Sequence, residues 1–195
     1  HVLIKNKVKY KINPGDGAFY GPKIDFHLKD SLGRTWQCST IQLDFSMPER
    51  FELEYIGEDG QPHRPVMLHR VIYGSMERFI GILLENNNGA LPVWLSPVQV
   101  KIVSITDRTA PLVEEMVKKM INAGIRAEAD VRQNTLQYKV RDAEIMKTPY
   151  ILVIGDQEKE KGTVAIRRRG EKQVELGVKV EDFINRVLED IKNRK

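Results

Sequence analysis

Apolar and polar residues alternate over Ile24, Phe26 and Leu28 against Lys23, Asp25, His27 and Lys29, which predicts a half-buried strand. The turn Ser31-Leu32-Gly33-Arg34 leads into a second predicted strand, Thr35 to Phe45. Phe51, Leu53 and Tyr55 alternate again, and Gly57-Glu58-Asp59-Gly60 turns the chain back toward Pro65–Arg70, giving an antiparallel meander. From Ser75 the period lengthens. Met76, Phe79, Ile80, Leu83 and Leu84 follow helical spacing until Asn86-Asn87-Asn88-Gly89 stops it.

Pro92–Pro97 reads as a boundary, and beyond it strands alternate with helices. Val98–Ile105 is a β-branched run. Leu112, Val113, Met116, Val117, Met120 and Ile121 give an amphipathic helix closed by Gly124. Ile125–Asp130, Tyr150–Gly155 and Thr163–Arg168 read as strands, Thr135–Met146 as a helix, and Phe183, Ile184, Val187, Leu188 and Ile191 as the last helix. The expected fold class is therefore α/β (α+β overall), with residues 1–94 and 95–195 as the two domains.

Composition changes little. The 195 residues are 41% hydrophobic and 30% charged, as in an ordinary globular protein. No apolar run reaches the ~18–20 residues that span a bilayer. Lys5, Lys7, Lys9 and Lys11 interrupt any signal-peptide pattern. The single cysteine, Cys38, permits no intrachain disulfide and fits a reducing compartment, so a cytoplasmic location is expected. The chain begins with His1 rather than Met, so its natural start is expected elsewhere.

Charge placement matters more than the net +4. Residues 131–170 hold 9 Lys+Arg against 5 Asp+Glu, whereas residues 1–94, 95–130 and 171–195 are each neutral. A local basic excess suits attraction to a phosphate backbone, although a solvated face produces the same run.

Three segments carry candidate chemistry. Gly17-Ala18-Phe19-Tyr20-Gly21-Pro22-Lys23 combines a phenol, a close-approach glycine and a lysine, or is a turn entering a strand. Trp36-Gln37-Cys38-Ser39-Thr40-Ile41-Gln42-Leu43-Asp44 places polar side chains within a strand, where burial is costly unless they bond something. Gln37 and Gln42 lie five apart and would face opposite ways in a regular strand. For both to face one pocket, a bulge near Ser39-Thr40 must re-aim one of them. The third segment is His69-Arg70-Val71-Ile72-Tyr73-Gly74-Ser75-Met76-Glu77-Arg78. Here a strand meets a glycine that admits a flat ligand, and then a helix start that favours anions, with Arg78 in its first turn. A capped helix bearing a surface arginine is the plainer reading of the same residues.

The third segment resembles the third signature motif of class II aminoacyl-tRNA synthetases. Ala18–Lys23, Gln37-Cys38, Thr40, Gln42–Phe45, Pro65-Val66, His69-Arg70, Gly74–Arg78 and Pro92–Gln99 together resemble the threonyl-tRNA synthetase family, over essentially the whole chain. The resemblance implies part of an antiparallel class II catalytic sheet ending in a helix, followed by an α/β anticodon-binding domain with a mixed sheet. It implies threonine–tRNA ligase chemistry using ATP with Mg2+, and tRNA(Thr) as partner. By the same resemblance Arg78, Gln37, Thr40 and Gly74 bind ATP, and Tyr20, Gln42 and Ser75 bind threonine. Lys23 and Arg78 act in catalysis.

His69 corresponds to one of three protein ligands of the family's Zn2+, which rejects valine by engaging the threonine hydroxyl; Cys38 occupies a different family position. Gln133, Glu158 and Arg167 fall at anticodon-reading positions, Gln133 standing where the family often has asparagine. Lys139, Arg141, Arg168 and Arg169 are expected to contact the RNA backbone. The first two class II motifs have no counterpart here, and the first is the one through which these enzymes form homodimers. The chain alone is therefore expected not to form the adenylate. A non-catalytic anticodon-binding module or a synthetase-like regulator are the alternative readings.

Overall fold

The computed structural model describes all 195 residues, His1–Lys195, as two compact units, His1–Asn86 and Asn87–Lys195.

The first unit opens with a short helix α1 (Val2–Lys5) and contains β1 (Lys23–Lys29), β2 (Thr35–Asp44), the short helix α2 (Ser46–Arg50), a small hairpin of β3 (Tyr55–Ile56) and β4 (Pro62–His63), β5 (Met67–Val71) and α3 (Met76–Asn86). β1, β2 and β5 form one antiparallel sheet in that order. The β1–β2 turn is organised by Asp30, whose carboxylate accepts from the backbone N–H of Leu32 and Arg34 and from the Trp36 indole, while Gly33 takes φ +82°.

Two features differ from the sequence expectation. Phe51 and Leu53 are not in a strand; their amides close the turn after α2 by bonding Met47 and Pro48 carbonyls at 3.0 and 2.9 Å. The alternation of β1 is present, yet Ile24, Phe26 and Leu28 are 40–52% exposed while Lys23 and Asp25 are half-buried on the opposite face. Cys38 and Pro48 are the buried apolar residues of this unit.

The second unit has a full core. It contains β6 (Val100–Ser104), α4 (Ala110–Asn122), β7 (Ala127–Asp130), α5 (Leu136–Ile145), β8 (Tyr150–Ile154), α6 (Asp156–Lys161), β9 (Thr163–Arg168), β10 (Val174–Lys179) and α7 (Val180–Lys192). The sheet order is β10-β9-β8-β6-β7, with β7, β6 and β8 parallel and β9 and β10 antiparallel. Val113, Met116 and Met120 of α4 and Phe183, Ile184 and Val187 of α7 bury against Val100, Ile102, Leu152, Ile154, Val164 and Ile166. A smaller cluster, with Val140 and Ala143 of α5 on Val103, Ile151, Val153 and Ala165, fills the other face.

The segment expected to be the boundary packs into this unit. Val93 is buried, and Gln99, fully buried, donates to the Val93 carbonyl at 2.9 Å. The Arg126 guanidinium holds the carbonyls of Trp94 and Ser96. The second compact unit begins at Asn87.

Candidate functional site

The polar face of the first sheet is set by register. Lys23 lies opposite Gln42 and Asp25 opposite Thr40, while Gln42 also pairs with His69 and Asp44 with Met67. Paired residues in an antiparallel ladder share a face. Tyr20 donates to the Gln42 carbonyl oxygen, Gln42 to Thr40 at 3.1 Å, and Thr40 to Asp25 at 2.8 Å. Lys23 pairs with Asp25 at 2.8 Å and reaches Asp16 at 3.6 Å. The Asp25 hydrogen bond is the main cause that holds the Lys23 ammonium above its ordinary pKa. His69 donates from Nε2 to the buried Asp44 carboxylate at 2.8 Å, and its ring centroid lies 6.0 Å from that of Tyr20.

The ladder between β1 and β2 shifts register between Phe26 and His27: Ser39 faces Phe26, Gln37 faces His27, and Cys38 has no opposite number. One extra residue reverses the alternation beyond it. Gln37 is thereby turned to the face that carries Thr40 and Gln42. Gly74 (φ +72°) lies against the bulge so closely that a Cβ there would stand 2.6 Å from the Cys38 carbonyl oxygen. The chain then enters α3, where the Ser75 hydroxyl accepts from the Arg78 amide at 3.3 Å and donates to Glu77. Arg78 is exposed and approaches the Gln37 carbonyl at 3.4 Å.

The structure thus gathers Tyr20, Lys23, Thr40, Gln42 and His69 on one face, and Gln37, Gly74, Ser75 and Arg78 around the bulge. Asp25, which joins Lys23 to Thr40, was not singled out from the sequence; its position two residues from Lys23 on the polar side of an alternating strand was the available signal. His69 and Asp44 do not amount to a zinc site, which needs three protein donors; no group of three His, Cys, Asp or Glu is gathered in the chain.

In the second unit the carboxyl ends of β6, β7 and β8 bring three loops together. β6 is where the parallel connections change direction, with β7 on one side and β8 on the other, the position where open α/β sheets leave a ligand crevice. Gln133, beyond β7, donates to Asp107, beyond β6, at 3.4 Å. Arg108 pairs with Asp156 at 2.9 Å, linking the β6 loop to the start of α6. Glu158 accepts from the Gly155 amide at 2.9 Å and caps α6. Arg167 lies further down β9, opposite Ile151, and its Nε is buried without a protein partner, as is the Thr106 hydroxyl. Thr106, Asp107, Arg108 and Asp156 were missed from the sequence because they share no motif; only the fold makes them neighbours.

Two of the four expected backbone-contacting cations are used inside the protein. Lys139 is 3% exposed and donates to the Ser104 carbonyl at 2.8 Å. Arg169 grips the carbonyls of Lys147 and Leu91 at 2.6 and 2.7 Å, and burial lowers its pKa. Arg168 lies over the Tyr150 ring and near Glu171, and Arg141 is exposed.

Residues 2–87 match the model of the tRNA synthetase class II core domain (G, H, P, S and T), and residues 99–190 that of the anticodon binding domain. The chain is 61% identical over 192 residues to a threonine–tRNA ligase of Desulforamulus reducens, covering 98% of this chain. It is 60% identical over 195 residues to that of Acetivibrio thermocellus, covering 100%. The chain belongs to the threonyl-tRNA synthetase family. It spans 30% of the length of each of these relatives.

Among solved structures, the RNA binding domain of threonyl-tRNA synthetase from Cryptosporidium parvum Iowa II superposes with a TM-score of 0.84 at 39% identity, over 96% of this chain and 47% of that one. A putative threonyl-tRNA synthetase from Aeropyrum pernix shares the fold, with a TM-score of 0.66 at 24% identity over 98% of this chain and 47% of that one. No helix is long and apolar enough to cross a membrane.

Proposed function

We propose that the chain is part of a threonine–tRNA ligase, in which its first unit forms one side of the threonine and ATP pocket and its second reads the anticodon of tRNA(Thr). The observation that carries the catalytic half is the convergence on one sheet face of Tyr20, Gln42, Thr40 and His69, with Gln37 turned to join them and Arg78 beside it. Tyr20, Gln42 and Ser75 bind threonine, and Gln37, Thr40 and Gly74 bind the nucleotide, which arrives with Mg2+. The threonine carboxylate attacks the α-phosphorus of ATP, forming a carboxyl O–P bond as pyrophosphate leaves. Arg78 holds the phosphates and offsets the charge that grows on them. Lys23 lies near the new mixed anhydride once it exchanges Asp25 for substrate.

His69 would supply one nitrogen toward a zinc ion, its Nε2 being held by a carboxylate as ligating imidazoles commonly are. Further donors, and the homodimer contact, belong to other parts of the complete enzyme, which works in the cytoplasm. In the second unit Gln133, Glu158 and Arg167 read bases.

The test is threonine-dependent ATP–pyrophosphate exchange by the full-length protein that carries this chain. Exchange with threonine is expected, falling about 10²–10³-fold in Arg78→Ala, the range for loss of one charge-stabilising donor. Absence of exchange overturns the reading. A second reading, an RNA-binding module without catalysis, is favoured by one observation: Asn87–Lys195 holds a complete core while the first unit buries little apolar surface.

A further inference from the structure

We propose that Lys139 is a positioning residue for base recognition at the carboxyl edge of the second sheet, acting through Ser104. The proposal rests on the anticodon reading above. Lys139 sits on α5 beside the apolar cluster of Val103, Val140 and Ala143, where an apolar side chain of similar length would pack. Its ammonium donates to the Ser104 carbonyl at 2.8 Å and to the Ser104 hydroxyl at 3.3 Å, and forms no ion pair. The buried Asp130 carboxylate attracts it without a direct ion pair, and a buried cation whose hydrogen bonds go only to a serine is an expensive way to hold a helix on a sheet.

What the cation grips explains its presence. Ser104 is the last residue of β6, at the point where the parallel connections reverse. Its hydroxyl also donates to the Asp130 carbonyl, the end of β7, at 3.3 Å. One ammonium therefore ties α5 to the two strand ends whose loops supply Asp107 and Gln133, themselves joined at 3.4 Å. Lys139 reaches no RNA; it fixes the frame from which Gln133 does. Recognition groups must be held within about 0.5 Å to discriminate, so loss of this tie acts on specificity before it acts on folding.

The experiment measures binding of this chain to a transcript of threonine tRNA and to the same transcript with its middle anticodon base replaced, over a range of salt. Lys139→Met is expected to keep the thermal midpoint of the parent or raise it, and to keep the salt slope. The affinity ratio between the two transcripts should fall by about tenfold, the scale of one base contact. Ser104→Ala, which keeps the carbonyl but loses the hydroxyl bridge to β7, is expected to fall part of the way; it decides the matter if Lys139→Met does not fold. An unchanged ratio in the folded variant overturns the proposal. A salt slope smaller by about one also overturns it, since that marks a direct phosphate contact. If the parent chain itself makes no distinction between transcripts, the anticodon reading falls and this proposal with it. A parent that distinguishes them beside a Lys139→Met that does so equally well defeats the positioning role alone.

Discussion

Gln37 and Gln42 lie on the same face of β2 although they are five positions apart, because Cys38 stands unpaired between Ser39 and Gln37. A site that needs both amides on one side obtains them by adding a residue to the strand rather than by changing its sequence pattern. Gly74 belongs to the same device, since only a residue without a Cβ lets the β5–α3 turn approach the Cys38 carbonyl.

Gly74→Ala is therefore expected to open this corner. The added methyl meets backbone oxygen at 2.6 Å in a φ +72° conformation, a strain on the order of 1–3 kcal/mol. The buried Cys38 thiol should react faster with a thiol reagent than in the parent, while the second unit's unfolding stays unchanged.

Asp30 gives a pH dependence. The Trp36 indole hydrogen bond, followed by the bonds from Arg34, lowers its pKa to about 2. A depressed folded-state pKa adds stability that is present above the unfolded value of 3.8 and is lost as pH falls through about 2. Trp36 fluorescence in a Trp94→Phe background should titrate with that low midpoint; a midpoint near 4 contradicts the bond.

Arg169 and Arg141 should separate stability from RNA binding. Arg169→Met removes two carbonyl contacts and should lower the second unit's thermal midpoint with the salt slope of tRNA binding unchanged. Arg141→Ala should leave the midpoint alone and reduce the slope by about one.

Tyr150→Phe tests the buried end of the second core. The phenol donates to Asp190 at 2.6 Å, and burial together with that carboxylate pushes its pKa up. Removing the hydroxyl leaves a buried acceptor short of a donor, at a cost of about 1–3 kcal/mol in urea unfolding.

Much of this was legible in advance. Periodicity located β1, β2, β6, β8, β9, α3, α4, α5 and α7, because each carries apolar residues at its own period, although those of β1 and α3 stay largely exposed in this unit. It missed α6, Asp156–Lys161, which has no apolar residue, and β10, where Gly177 (φ +74°) and exposed Leu176 break the alternation. The need for a bulge followed from the spacing of Gln37 and Gln42, one residue away from where it lies. Side-chain fate was less legible. Lys139 and Arg169 read as RNA contacts by charge alone, and only packing shows them turned onto carbonyls. Asp107 and Gln133 are 26 residues apart and meet only through the crossover of the sheet.

The most direct test of the account is the affinity of this chain for an isolated anticodon stem-loop of threonine tRNA, set against the same stem-loop with its middle base replaced. Gln133, Glu158 and Arg167 as base readers predict saturable binding that weakens by about tenfold or more on replacement, the 1–3 kcal/mol scale of a paired base contact. Equal affinity for the two stem-loops would contradict it.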